Sequence, residues 1–281
     1  MTTTSPPASR PVMADVVHRP GAEGARSAPA GAVSACGTFA WRALVKIKNV
    51  REQLGSAVVF PIVLTVVFTY LLGGAIAGTP ERYLQFFIPG VLAMMLMSAS
   101  MTTALTLNRD IATGMFDRVR SIAVWQPSVI VGAMAGDVVR YALTGVVPLL
   151  VGLVLGFRPG GGLPGVLLAL LYLQLFTFSI AWLWMLLAVL IPDPTALHGL
   201  TNLLVFLLIF GSNILAPVVS MPSWLQAAIN VNPVTHAVTA TRGLMHGTVT
   251  AGQMSSALFA CAVLILVFGV PAAILHARKQ R

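Results

Sequence analysis

Acidic residues are scarce. Asp and Glu number 8 against 17 Lys and Arg, and charged residues of both signs make up only 9% of the chain. A soluble domain carries about 25% charged residues, so these residues cannot build a water-solvated surface. Cysteine is nearly absent. Cys36 sits in a polar leader and Cys261 in an apolar run, which places them in different phases and argues against a disulfide. His18, His198, His236, His246 and His276 form no close pair; they read as surface or interfacial residues, and no metal site is assigned. A G-x-x-x-x-G-K-[ST] loop is missing too, because Gly160-Gly161-Gly162 lacks the following Lys. The eight carboxylates are too dispersed for acid–base work at one interface, which argues against a lipid-modifying enzyme. No catalytic residue is assigned, and no cofactor is expected on this chain.

What fills the chain is apolar. Hydrophobic residues make up 57%, and the mean hydropathy is +0.88. Lipid is then the solvent for most of the outside, and only helices or closed barrels satisfy their backbone there. A barrel would show alternating segments of roughly 10 residues; long unbroken apolar runs predict helices. The net charge of +9 could suggest nucleic acid, but the cations cluster in short stretches between apolar runs, as membrane orientation requires.

The spacing predicts an all-α polytopic membrane protein with six transmembrane helices. A disordered cytoplasmic leader covers 1–37, without the apolar core of a signal peptide. An interfacial helix follows over 38–54, with Phe39, Leu44, Ile47, Val50 and Leu54 on one side and Arg42, Lys46, Asn49 and Gln53 opposite. A span needs about 20 apolar residues, which places the six near 56–76, 84–107, 138–157, 164–191, 195–216 and 254–275. From Pro194 to Thr241 there are 48 residues without a charge, enough for two spans. Pro217, Pro222, Asn230, Asn232 and Pro233 interrupt the second half, however. An external re-entrant helical hairpin fits better, with Asn232-Pro233 breaking it in two. In this arrangement thirteen Lys and Arg lie inside. Only Arg82, Arg158 and Arg242 lie outside, and Arg140 sits at a span end. Both termini are then cytoplasmic in a multi-pass protein of the plasma membrane.

Three features could carry function. Between spans two and three, Ile111, Met115, Val119 and Ile122 share a helical face. Such a helix could dock on a partner protein or lie on the membrane, and the residues alone do not choose. Asp137 and Arg140 are three apart and face the same way; near the inner interface they read as a structural pair rather than a proton relay. The hairpin, with Asn213, Pro217, Pro222, Trp224, Asn232, Pro233 and Arg242, could line or cap a translocation path.

The chain resembles the permease of type-2 ABC exporters, especially the daunorubicin/doxorubicin-resistance branch. One matching segment holds Gly114, Asp117, Arg118, Arg120, Ser121, Gly132, Asp137 and Arg140. The more specific one holds Phe210-Gly211-Ser212-Asn213, Pro217, Met221-Pro222, Trp224-Leu225, Asn232-Pro233-Val234-Thr235 and Arg242-Gly243-Leu244. The chain departs from the family pattern at Ala123, where Pro is common, and at Ala133, where Arg is common. The resemblance covers about Thr38 to Arg281. It implies two copies of an ATPase subunit carrying ATP and Mg, and a second permease chain, identical to this one. It also implies a coupling helix containing Asp110, Gly114, Met115, Phe116, Asp117, Arg118 and Arg120. The expected function is export of a drug-like, natural-product or lipid-like molecule. The alternatives are a secondary transporter driven by an ion gradient, for which mid-membrane charges and an inverted repeat would be needed, or a non-transporting scaffold subunit.

Overall fold

The computed structural model describes residues 51–112 and 126–279. Among the described residues every regular element is helical. Helix α1 spans Arg51–Ala77 and ends at Gly78, whose φ of +80° suits only glycine without strain. Helix α2, Pro80–Ala112, opens on a proline that needs no N–H there and on Glu81, which complements the positive helix end. Helix α3 spans Gln126–Leu155 and α4 spans Gly162–Leu190. Asp193 then caps α5, Pro194–Phe210, by accepting from the Thr195 and Ala196 amides at 3.2 and 3.1 Å. A 3-10 turn over Val218–Ser220 leads to α6, Ser223–Val231, and α7, Pro233–His246. The last helix comprises α8 (Ala251–Leu264), a π turn (Ile265–Gly269) and α9 (Val270–Lys279). Its start is fixed by a capping box between Thr250 and Gln253.

Among the described residues four helices are long and apolar enough to cross a membrane: Val59–Ala77, Pro80–Thr106, Gly162–Leu190 and Ala251–Ala272. Arg140–Leu155 and Pro194–Phe210 are apolar but shorter. The chain fits a polytopic membrane protein. Two helix ends lie furthest from the expected span limits. Helix α3 begins at Gln126, well before Val138, because a helix does not stop where its apolar stretch does. Helix α5 ends at Phe210 rather than near Ala216, because Gly211 caps it and the Ser212 hydroxyl bonds back to the Ile209 carbonyl at 2.6 Å. The expected interfacial helix lies outside the described residues except for Arg51–Leu54, which form the first turn of α1.

Helix α2 is the axis of the bundle. It packs against α1, α3, α4, α5 and α7, and 78% of its apolar window is buried against 22% for α1. Phe87 stacks on Phe68 of α1 at 5.8 Å and on Tyr83 at 5.3 Å. In lipid, apolar contact gives helices no reason to associate, so close packing and interhelical hydrogen bonds must do it. The Trp184 indole of α4 donates to Ser100 of α2 at 3.0 Å. The Asn108 amide donates to the Ala188 and Ile191 carbonyls at 3.0 and 2.9 Å. The two Asn108 bonds serve the α4 terminus, where carbonyls lack helical donors.

The π turn adjusts register. Ala257, Ala260, Cys261 and Leu264 are buried at ordinary helical spacing, and the next buried positions are Gly269 and Ala272. The step from 264 to 269 is one residue longer than an α-helix provides. Gly269 meets Trp182 of α4 there, so closely that a Cβ would lie 3.2 Å from the indole.

Candidate functional site

Polar side chains gather at two levels of α2, its first turns and the stretch from Ala99 to Thr103 in its second half. At the second level Asp137 and Arg140 of α3 form an ion pair of 2.9 Å. Arg140 also donates to the Ala99 carbonyl at 3.2 Å and to the Thr103 hydroxyl, both on α2. Thr103 in turn lies 2.9 Å from the Tyr141 hydroxyl. Asp137 sits just before the apolar stretch of α3. Burial pushes its carboxyl up from the ordinary range, while Arg140 and the Thr103 hydroxyl pull it back down. Replacing Asp137 with Ala would strand the guanidinium. The two side chains are 28% and 26% exposed, so the loss should be about 1–3 kcal/mol, below the 3–5 of a fully buried pair. The Asp137→Ala/Arg140→Ala double variant should lose less than the single one. Thermal unfolding of both in nanodiscs checks this.

At the first level the α6–α7 hairpin meets α2. Arg242 is held by two carbonyls and a ring: its Nε donates to the Phe86 carbonyl at 3.1 Å, its Nη2 donates to the Asn213 carbonyl at 3.3 Å, and its guanidinium lies 3.7 Å from the Phe86 ring centre. One turn on, His246 Nε2 is 3.0 Å from the Gln85 carbonyl; a carbonyl only accepts, so this nitrogen carries the proton. The Gln85 amide reaches the turn between α3 and α4, donating to the Gly156 carbonyl at 3.0 Å and accepting from the Arg158 amide at 2.9 Å. Tyr83 donates to the Leu215 carbonyl at 2.8 Å. Asn213 donates to Thr239 at 2.9 Å. Asn232 donates to the Leu208 and Gly211 carbonyls at 2.9 and 2.6 Å and caps α7 by accepting from the Val234 amide at 2.9 Å.

A cavity of about 410 Å³ opens between α1, α2 and α5. It is walled by Phe60, Leu64 and Phe68 of α1, Met94 and Ser98 of α2, Asn202, Val205, Phe206, Ile209 and Phe210 of α5, and Leu215. Ser98 and Asn202 are its two polar groups, set among four phenylalanine rings. The outward faces of α1 and α5 on either side stay exposed, as at Val63, Leu71, Leu203 and Leu207.

The residues singled out from the sequence are thus divided. Asn213, Asn232, Pro233 and Arg242 meet where the hairpin joins α5 and α2. Pro217 and Pro222 begin the 3-10 turn and α6. Trp224 stands apart, 72% exposed, on a helix whose buried residue is Ile229. Asp110 lies in the last turn of α2, whereas Gly114, Met115, Phe116, Asp117, Arg118 and Arg120 lie outside the described residues. Gln85, Tyr83 and His246 were not anticipated. Their one signal was Pro89 inside an apolar run, which leaves a helical carbonyl without its donor.

Residues 34–246 match the family model described as ABC-2 type transporter. The chain belongs to the ABC-2 type transporter family. It is 41% identical over 245 residues, 87% of each chain, to the daunorubicin resistance ABC transporter permease protein DrrB1 of Streptomyces coeruleorubidus. It is 28% identical over 225 residues, 80% of this chain and 81% of the other, to a probable doxorubicin resistance ABC transporter permease protein DrrC of Mycobacterium tuberculosis. A putative transport permease, ycf38 of Cyanophora paradoxa, is 27% identical over 216 residues, 72% and 71% of the two chains. The first two of these relatives are named as ABC transporter permeases, and the matched region of this ABC-2 chain takes in both polar clusters on α2 and the whole hairpin.

Proposed function

We propose that the chain is the membrane-spanning half of an ATP-driven exporter that carries a drug-like, natural-product or lipid-like molecule out of the cytoplasm. The observation that carries this reading is the 41% identity, across 87% of both chains, with a daunorubicin resistance permease. A chain with no nucleotide-binding loop of its own needs a separate ATPase, and two copies of it would bind ATP and Mg.

The four long apolar helices together with α3 and α5 make six spans. The thirteen cations against three set both termini in the cytoplasm of a plasma-membrane protein. The hairpin then lies at the outer face and re-enters the membrane there; both ends of its second helix, α7, are capped, by Asn232 and Gly247, as irregular chain at membrane depth requires. Asp137 and Arg140 hold α2 to α3 near the inner face. A second, identical permease covers the apolar faces of α1 and α5, and the cavity between these helices becomes part of the cargo path. Its volume falls in the ~300–1,000 Å³ range of small-molecule sites, and Ser98 and Asn202 offer hydrogen bonds to an otherwise apolar, ring-bearing cargo.

The segment from Asp110 to Ile122 receives the ATPase motion. Asp117→Ala and Arg118→Ala should each cut ATP-dependent uptake of daunorubicin into inverted vesicles roughly 10-fold or more, which corresponds to about 1.4 kcal/mol or more of lost coupling. Membrane insertion should be unchanged. Normal transport by both variants would refute the coupling role. Repeated purification of this chain from native membranes without an ATPase, active in ion-driven transport, would refute the exporter.

A further inference from the structure

Pro89 lies within α2 and has no N–H to give to the carbonyl four residues earlier, that of Gln85. In a membrane an unserved carbonyl costs several kcal/mol, so something must replace that donor. The replacement comes from another element: His246 of α7 donates to the Gln85 carbonyl at 3.0 Å. Arg242, one turn earlier on the same helix, donates to the next carbonyl along, that of Phe86, at 3.1 Å. The imidazole is held edge-on to Phe157, with ring centres 5.8 Å apart. Gly90 lets the chain after α5 approach the same turn, since a Cβ there would lie 3.0 Å from Ile214. Helix α2 therefore completes its own hydrogen bonding only with α7 in place.

We propose that His246, supported by Arg242, is a positioning residue for export that makes α7 and the Gln85–Phe86 turn of α2 one mechanical body. Helix α2 is continuous from Pro80 to Ala112, a rod of about 50 Å at 1.5 Å per residue. Its far end reaches Asp110, where the coupling segment of the exporter begins; this inference rests on that reading. Motion delivered at Asp110 is carried along the rod to the hairpin, because separating them would leave the Gln85 carbonyl bare. Leu215 lines the cavity and takes the Tyr83 hydroxyl at 2.8 Å, so the same turn borders the cargo path.

The test uses a double-variant cycle in the full chain, in nanodiscs. His246→Leu keeps the bulk and removes the donor, and should lower the unfolding temperature by about 6–12 °C. His246→Gln should keep most of it. Pro89→Ala restores the missing N–H, so His246→Leu should cost little in the Pro89→Ala background, and the double variant should unfold no lower than the parent. An equal cost of His246→Leu with Pro89 and with Ala at that position would overturn the substitution of one donor for another. The second readout is transmission. A spin label at Thr248→Cys, with Cys36 and Cys261 replaced by Ala, is followed in the complex with the ATPase on adding ATP and vanadate. The parent chain should respond, and most of that response should be lost in Pro89→Ala/His246→Leu although it unfolds no lower than the parent. An equal response in that variant overturns the linkage alone. A parent chain indifferent to nucleotide sinks the exporter reading, and the inference with it.

Discussion

Replacing Asn232 with alanine should cost roughly 3 kcal/mol or more, because one side chain is engaged three times. Its carbonyl oxygen caps α7 through the Val234 amide, and its amide serves the Leu208 and Gly211 carbonyls at the end of α5. A lost cap costs about 1 kcal/mol. Each carbonyl left bare adds about 1–3 kcal/mol. At about 1.4 kcal/mol per factor of ten, the folded population should fall at least 100-fold relative to the unfolded. Asn232→Asp separates the two halves. It keeps the capping oxygen but turns a carboxylate toward two carbonyl oxygens, and should be no better than alanine. Thermal unfolding in nanodiscs is the measurement. An alanine variant as stable as the parent would show that the three bonds carry little.

Gly165→Ala should destabilise the bundle, whereas Gly199→Ala should not. A Cβ on Gly165 would lie 2.4 Å from the Leu244 carbonyl oxygen, and one on Gly161 would lie 2.5 Å from the same atom. The obstacle is backbone, so α4 and α7 would have to part. Their contact includes the bond from the Gly161 amide to the Met245 carbonyl at 2.8 Å. Overpacking of this kind costs about 1–3 kcal/mol, and Gly165→Val should prevent accumulation of folded protein in membranes. At Gly199 nothing lies within 4 Å of the added carbon. There alanine should stabilise α5 by about 0.4–1 kcal/mol through the unfolded chain. Equal and opposite placement of these signs, or no difference between the two sites, would contradict the close approach of α4 and α7. Expression and unfolding of the pair can be read side by side.

Some of this arrangement was legible because periodicity speaks directly to burial. Val234, Ala237, Val238, Thr241, Leu244 and Met245 repeat at helical spacing, and all are buried along α7. Asn232-Pro233 announced the break before that helix, since asparagine caps and proline fits the first turn. Helix α6 was less legible. Trp224, Leu225, Ala228 and Ile229 read as one broad face, yet Trp224 is 72% exposed and Ile229 fully buried, because five residues turn a helix through about 500° and leave the two about 140° apart. The inner end of α3 escaped because apolar length measures the hydrocarbon slab, whereas helices continue past it. The union of Gln85 with His246 was beyond reach. Pro89 showed that a carbonyl would need a donor, but 161 residues separate that carbonyl from the one that arrives. Only the folded path of α4, α5 and the hairpin brings them together.

The single extra residue in the Ile265–Gly269 turn works like a half-step in a staircase. Above it and below it the same wall, α4, is met by small or slender groups: Ala257 and Cys261 on one flight, Gly269 and Ala272 on the other. Cut that residue out and the helix winds straight, turning everything beyond it by about 100° about its own axis. Phe268 would then be swung relative to Trp182, and the small residues of the lower flight would look out into lipid. The closing stretch of the chain can hug its neighbour along its whole length only because its winding is locally wrong.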